Sequence, residues 1–256
     1  MNQKDMTVYE HIAELRKRLI YVVVFFFIAV IGGFFMAEPI IVYLQHTDEA
    51  KELTMNAFRI TDPLKIYMQM AFVISFVLTT PVLFYHLWAF ISPGLYHKER
   101  KVTLSYIPIS LLLFIAGISF SYFILFPFVI DFMTRIADKL NINQVIGINE
   151  YFQFLFQITV PFGILFQLPV VIMFLTRLGI LTPMFLSKIR KYAYFVLLVI
   201  AAFITPPDLI SHLMVTIPLF ILYEISIWIS KIAYKKAQLA EELMESEEES
   251  NLYENK

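Results

Sequence analysis

Apolar residues come in six long runs, at 19–37, 64–91, 102–130, 151–175, 192–204 and 209–230, separated by polar segments. A helix needs roughly 20 apolar residues to cross about 30 Å of hydrocarbon. Five runs reach or approach that length. The pattern therefore predicts an all-α membrane protein with six transmembrane helices. The fifth run would cover only about 20 Å at about 1.5 Å per residue. The sixth is apolar without interruption only over 213–223, so both are expected to be short. Pro81, Pro108, Pro127, Pro161, Pro169 and Pro218 fall inside runs. Each removes a backbone donor and bends its helix, which predicts curved walls around a concave face. The first run is too long for the apolar core of a cleavable signal, and bulky Phe35 stands where cleavage wants a small residue.

Charge decides the orientation. Fifteen of the 20 Lys and Arg fall in the N-terminal segment, the loops after runs two and four, and the tail. The alternate side holds only Lys51, Arg59, Lys65, Arg135 and Lys139. Basic residues concentrate on the cytoplasmic side, so both termini are expected inside a cell membrane. The expected divisions are an amphipathic cytoplasmic helix at 1–18, the six-span domain at 19–230, and a charged cytoplasmic tail at 231–256. Glu-rich and poor in apolar residues from Glu241 onward, that tail reads as disordered.

Composition narrows the class. The chain is 59% hydrophobic and 16% charged, against about 45–50% and about 25% in a soluble domain. That excludes a soluble enzyme, a disordered chain and a nucleic-acid binder with a basic face. With no Cys among its 256 residues, it has no disulfide, thiolate catalyst, zinc knuckle or iron–sulfur cluster. No Gly-rich loop of the phosphate-cradling kind is present. No cofactor, metal or catalytic residue is expected.

Few polar residues remain as candidates. Over residues 8–19, Val8, Ile12, Leu15 and Leu19 form one helical stripe, with Glu10, Glu14, Lys17 and Arg18 opposite. Glu14 precedes Arg18 by four residues, the favourable order for a helix ion pair. Either this is a membrane-surface helix leading into the first span, or it presents Glu14 to a cytoplasmic ligand. Glu99 stands alone among Lys98, Arg100 and Lys101, as a neutraliser of its neighbours or as an acceptor for a cationic ligand. Inside the spans, Gln69, Gln153, Gln157, Gln167 and Thr159 read mostly as contacts between helices. Glu224 either snorkels toward Lys231 or stays protonated.

The stretches His11-Ile12-Ala13-Glu14-Leu15-Arg16-Lys17-Arg18-Leu19, Leu87-Trp88-Ala89-Phe90-Ile91-Ser92-Pro93-Gly94-Leu95-Tyr96 with Glu99-Arg100, and Ile204-Thr205-Pro206-Pro207-Asp208 resemble the TatC family. TatC is the multi-pass subunit of the twin-arginine protein translocase. The resemblance implies a concave, glove-like arrangement of six helices with the last two short. It implies that Glu14 and Glu99 bind the paired arginines of a signal peptide, with Phe90 beside them. Thr205 and His212 match positions where single-span partners of the TatA/TatB type dock. Arg16, Pro93 and Asp208 are further motif positions. Many relatives carry Glu where this chain has Gln167, so any role for Gln167 is polar contact with a partner helix. Further implied partners are other copies of the chain, and the implied energy source is the proton gradient.

Two other classes compete. A small-molecule secondary transporter would want a midplane site and usually an internal repeat, and neither is evident. An intramembrane enzyme would want a nucleophile–base pair or an H-E-x-x-H motif, and the sequence offers neither.

Overall fold

The computed structural model describes residues 8–47, 55–91, 106–177, 179–205 and 208–254. Its regular elements are α1 (Val8–Gln45), β1 (Met55–Asn56), α2 (Asp62–Ile91), α3 (Tyr106–Phe120), α4 (Phe126–Lys139), β2 (Ile146–Gly147), α5 (Ile148–Leu165), α6 (Leu168–Arg177), α7 (Pro183–Lys188), α8 (Arg190–Ile204) and α9 (Leu209–Glu254). Five helical stretches among the described residues are long and apolar enough to cross a membrane: Ile12–Gln45, Asp62–Phe90, Ile107–Lys139, Ile148–Arg177 and Leu209–Lys236. The sixth apolar helix, α8, has 15 residues and is about 22 Å long. The chain divides into two compact units, residues 1–163 and 164–256.

In the first unit, α1 is one helix of 38 residues, about 57 Å long. The helix passes through residue 18 without a break. Leu, Arg and Lys around it are good helix formers, and no Gly or Pro intervenes before Gly32. Phe27, Ile28, Ile31 and Phe35 of α1 are all more than 60% exposed, a bare apolar face suited to lipid. The other face packs along α2. A Cβ on Gly33 would lie 2.7 Å from the Ala71 carbonyl oxygen and 3.0 Å from Ser75 Oγ, so only glycine lets the two helices approach this closely.

The third apolar run is helical from Tyr106 to Lys139, with one π-type turn at Ser121–Leu125. Pro127 explains the turn, because it has no N–H for the Phe123 carbonyl and its ring would crowd that oxygen. The Phe126 N–H bonds Ser121 O instead, five residues back. Phe114, Phe126, Phe152 and Phe162 are fully buried in the core of this unit. The segments between helices are tied together as well. β1 pairs in parallel with β2, Met55 opposite Ile146 and Asn56 opposite Gly147. Buried Asp62 accepts bonds through Oδ2 from the backbone N–H of Phe58 and Arg59, at 3.1 and 2.8 Å.

In the second unit, α6, α7 and α8 pack on α9. The fourth run does not stay helical throughout. Pro169 cannot donate to the Leu165 carbonyl, so the helix breaks at Phe166–Gln167 and Gln167 N bonds Ile164 O at 2.9 Å. α9 differs from the expectation twice. Its 46 residues run unbroken, so Ser211, His212 and Glu224 interrupt the apolar run without shortening the helix. The tail from Glu241, expected to be disordered, is helical to Glu254. Its Lys, Ala, Gln, Leu and Glu are strong helix formers, and no Gly or Pro stops the helix there.

Candidate functional site

The charged end of the α1–α2 pair is built on the one-turn spacing of Glu14 and Arg18. Glu14 Oε1 accepts from Arg18 Nε at 2.9 Å and also from Nη2. The two side chains are only 20% and 25% exposed, Glu14 and Arg18 respectively. Glu14 Oε2 is shielded from solvent and has no hydrogen-bond partner among the described residues. The Arg18 stem lies in a shallow groove with Leu15, Leu19 and Val22 of α1 and Leu83, His86 and Leu87 of α2. The Tyr21 and His86 rings are 5.8 Å apart. The helices are antiparallel, so Phe90, one turn beyond His86, stands level with Glu14, one turn before Arg18. Arg16 points away and is exposed. Glu99 and Pro93 lie outside the described residues.

The remaining candidates belong to the second unit. Gln167 is 6% exposed at the break before α6. Thr205, also 6% exposed, ends α8 and donates its hydroxyl hydrogen to Ala201 O at 3.0 Å. Asp208 caps α9, its Oδ1 accepting from Ser211 N at 2.7 Å. This satisfies an N–H of the first helical turn and gives the motif acid a structural duty. His212, in the first turn of α9, is partly exposed. Thr176 Oγ1 and Ser230 Oγ meet at 2.8 Å and fix the register of α6 on α9. By that register Gln167 sits roughly 13 Å along α9 from His212. Thr205 and His212 therefore flank one turn, and Gln167 is separate from them. Among the described residues, no group of three or more His, Asp and Glu could hold a metal ion.

The family model for the Sec-independent protein translocase protein TatC matches residues 10–218. The chain belongs to the TatC family. Sec-independent protein translocase protein TatCy of Bacillus subtilis is 71% identical over 238 residues, 93% of this chain and 94% of its own length. The TatC protein of Halalkalibacterium halodurans is 61% identical over 247 residues, 96% of this chain and 98% of its own. A crystal structure described as the twin-arginine translocase receptor TatC superposes with a TM-score of 0.77 at 33% identity, covering 88% of this chain and 99% of that one. This TatC chain is thus a multi-pass membrane component of a Sec-independent protein translocase. The family match includes Glu14, Phe90, Gln167, Thr205, Asp208 and His212.

One polar cluster of this TatC chain is not legible from motifs. Glu224 does not reach for Lys231. Its Oε1 lies 2.8 Å from Arg190 Nε and accepts from the Tyr194 hydroxyl. Tyr194 stacks on Phe220, with centroids 4.4 Å apart. Beside it, the Tyr223 hydroxyl donates to Leu186 O at 3.0 Å. The available signal was an intramembrane acid near a basic loop, and Arg190 in that loop is the cation that answers it.

Proposed function

We propose that this chain is the signal-reading subunit of a twin-arginine translocase. Paired arginines of a cargo's signal peptide dock on Glu14 and Glu99 at the cytoplasmic face, with Phe90 beside them. Single-span subunits of the TatA/TatB type join the complex, Gln167, Thr205 and His212 supplying polar contacts to their helices. Folded cargo then crosses at the expense of the proton gradient. Both termini face the cytoplasm. The chain binds and positions, and it catalyses no covalent step.

Glu14 is the observation that carries this reading. Its carboxylate already holds a guanidinium through two donors in a partly shielded place. A planar fork matches a carboxylate where a lysine ammonium does not, so the same spot suits arginine and discriminates against lysine. The description of the solved relative as a receptor agrees with this.

The test is peptide binding to the purified chain in detergent, with a signal peptide carrying paired Arg and its paired-Lys counterpart. Wild type should prefer the Arg peptide. A charge-assisted pair contributes roughly 1.5–3 kcal/mol, so Glu14→Ala or Glu99→Ala should weaken Arg-peptide binding by about tenfold or more. Glu99→Asp should be milder. Equal binding of both peptides to wild type would overturn the receptor reading.

A further inference from the structure

At the end of the first unit remote from Glu14, α2 and α5 follow the paired strands β1 and β2 and flank a cavity of about 470 Å³. Lys65, Met68, Gln69, Phe72 and Val73 of α2 line it, with Gln153 and Phe156 of α5. The volume falls among small-molecule sites, at about 300–1,000 Å³. A helix about 10 Å across would fill it with little more than one turn. No acid is among the described residues that line it.

The lining is graded along the helices. Exposed Lys65 stands in the first turn of α2, and Gln69 follows about 6 Å deeper. Gln153 is exposed at a similar depth on α5. Phe72, Val73 and Phe156 lie deeper still. Gln69 Oε1 is shielded from solvent and has no hydrogen-bond partner among the described residues. Hydrocarbon cannot satisfy such amides, so the occupant must be polar where they stand and apolar below. The headgroup layer of one leaflet is about 5–7 Å thick, half the difference between about 40–45 Å and about 30 Å. That matches the step from Lys65 to Gln69.

We propose that the cavity between α2 and α5 is a binding site for an anionic glycerophospholipid whose headgroup carries a hydroxyl. The phosphate pairs with the Lys65 ammonium. The amide nitrogens of Gln69 and Gln153 donate to ester carbonyls, and Gln69 Oε1 accepts from the headgroup hydroxyl. The first acyl carbons lie against Met68, Phe72, Val73 and Phe156. The site is independent of signal reading, because it stands at the opposite end of α2 from Phe90.

The experiment follows the melting temperature of the full chain in detergent as phosphatidylglycerol, phosphatidylcholine of the same chains, or inorganic phosphate is added. Phosphatidylglycerol should raise it saturably and at lower concentration than phosphatidylcholine, and phosphate alone should do nothing. One basic residue near an anionic surface contributes about 1 kcal/mol, so Lys65→Gln should weaken phosphatidylglycerol about fivefold. Lys65→Arg should retain the affinity. Lys139→Gln, at the exposed end of α4 and outside the cavity, should also retain it. Gln69→Leu should weaken phosphatidylglycerol more than phosphatidylcholine, which has no hydroxyl to offer. Equal response to the two lipids overturns the proposal, as does equal loss from Lys65→Gln and Lys139→Gln, which would leave only a diffuse surface charge. A shift with phosphate alone would make this a free-anion site and overturn the lipid assignment. Equal weakening of both lipids by Gln69→Leu would overturn the role of the headgroup hydroxyl.

Discussion

Arg190, the first residue of α8, lies 2.8 Å through Nε from Glu224 Oε1 on α9. The Tyr194 hydroxyl, one turn along α8, donates to the same carboxylate oxygen. The pair holds the start of the short helix against the long one. Both charged side chains are a little over 40% exposed, so solvent screens part of their attraction, and such pairs are worth roughly 0–1 kcal/mol. Glu224→Ala should therefore lower stability by about 1 kcal/mol, the tyrosine hydrogen bond included. Tyr194→Phe should cost less, and Lys231→Ala should leave the melting temperature in detergent unchanged. A loss on Lys231→Ala equal to that of Glu224→Ala would refute the assignment of Arg190 as the partner.

Gly33 and Gly32 make a matched pair. A Cβ at position 33 meets α2 backbone at 2.7 Å, and one at position 32 meets nothing within 4 Å. Overpacking of this kind costs about 1–3 kcal/mol, so Gly33→Ala should lower the melting temperature. Gly32→Ala should be neutral or slightly stabilising, because alanine is the better helix former. Equal melting temperatures for the two variants would mean that α1 and α2 separate at little cost.

Contact range along the chain separates the features that were legible in the sequence from those that were not. The Glu14–Arg18 pair was legible because four residues is one helical turn, and the bonds are present. The six apolar helices were legible from length and hydropathy. Two-residue pairing of β1 with β2 was not, because Met55 and Ile146 meet across two helical runs and carry no strand pattern. The Glu224 partner lies 34 positions away, and proximity in sequence favoured Lys231 instead. Prolines signalled bends, but only the structure separates the π-type turn before Pro127 from the outright break before Pro169. Among the site residues, Glu14 and Phe90 share one end of α1 and α2, whereas Gln167 is separated from Thr205 and His212 along α9.

Orientation has a direct test, because the chain has no Cys and any introduced thiol is unique. Ile60, fully exposed between β1 and α2, should be labelled as Ile60→Cys by an impermeant maleimide added to intact cells. Ser246→Cys in α9 should be labelled only after the membrane is opened. The opposite pattern would reverse the topology and move Glu14 to the wrong face for a cytoplasmic signal.

The length of α8 makes the last prediction. Its 15 residues span about 22 Å where the hydrocarbon is about 30 Å thick. Both ends are fixed: Arg190 is tied to Glu224, and Thr205 bonds back to Ala201 just before the cap at Asp208. The helix therefore cannot lengthen by recruiting its flanks. The bilayer beside it must thin, or a neighbouring helix must cover the difference, at a fraction of a kcal/mol per Å of mismatch. A thinned edge next to Thr205 and His212 is where single-span partners would gain most by assembling. Inserting four Leu/Ala residues after Leu198 adds about one turn and about 6 Å, which removes most of the mismatch while nearly preserving the helix face. That variant should still insert and still bind the signal peptide, since Glu14 and Phe90 are untouched, but it should fail to export a folded reporter. Full export by the lengthened chain would show that the shortness of α8 plays no part in transport.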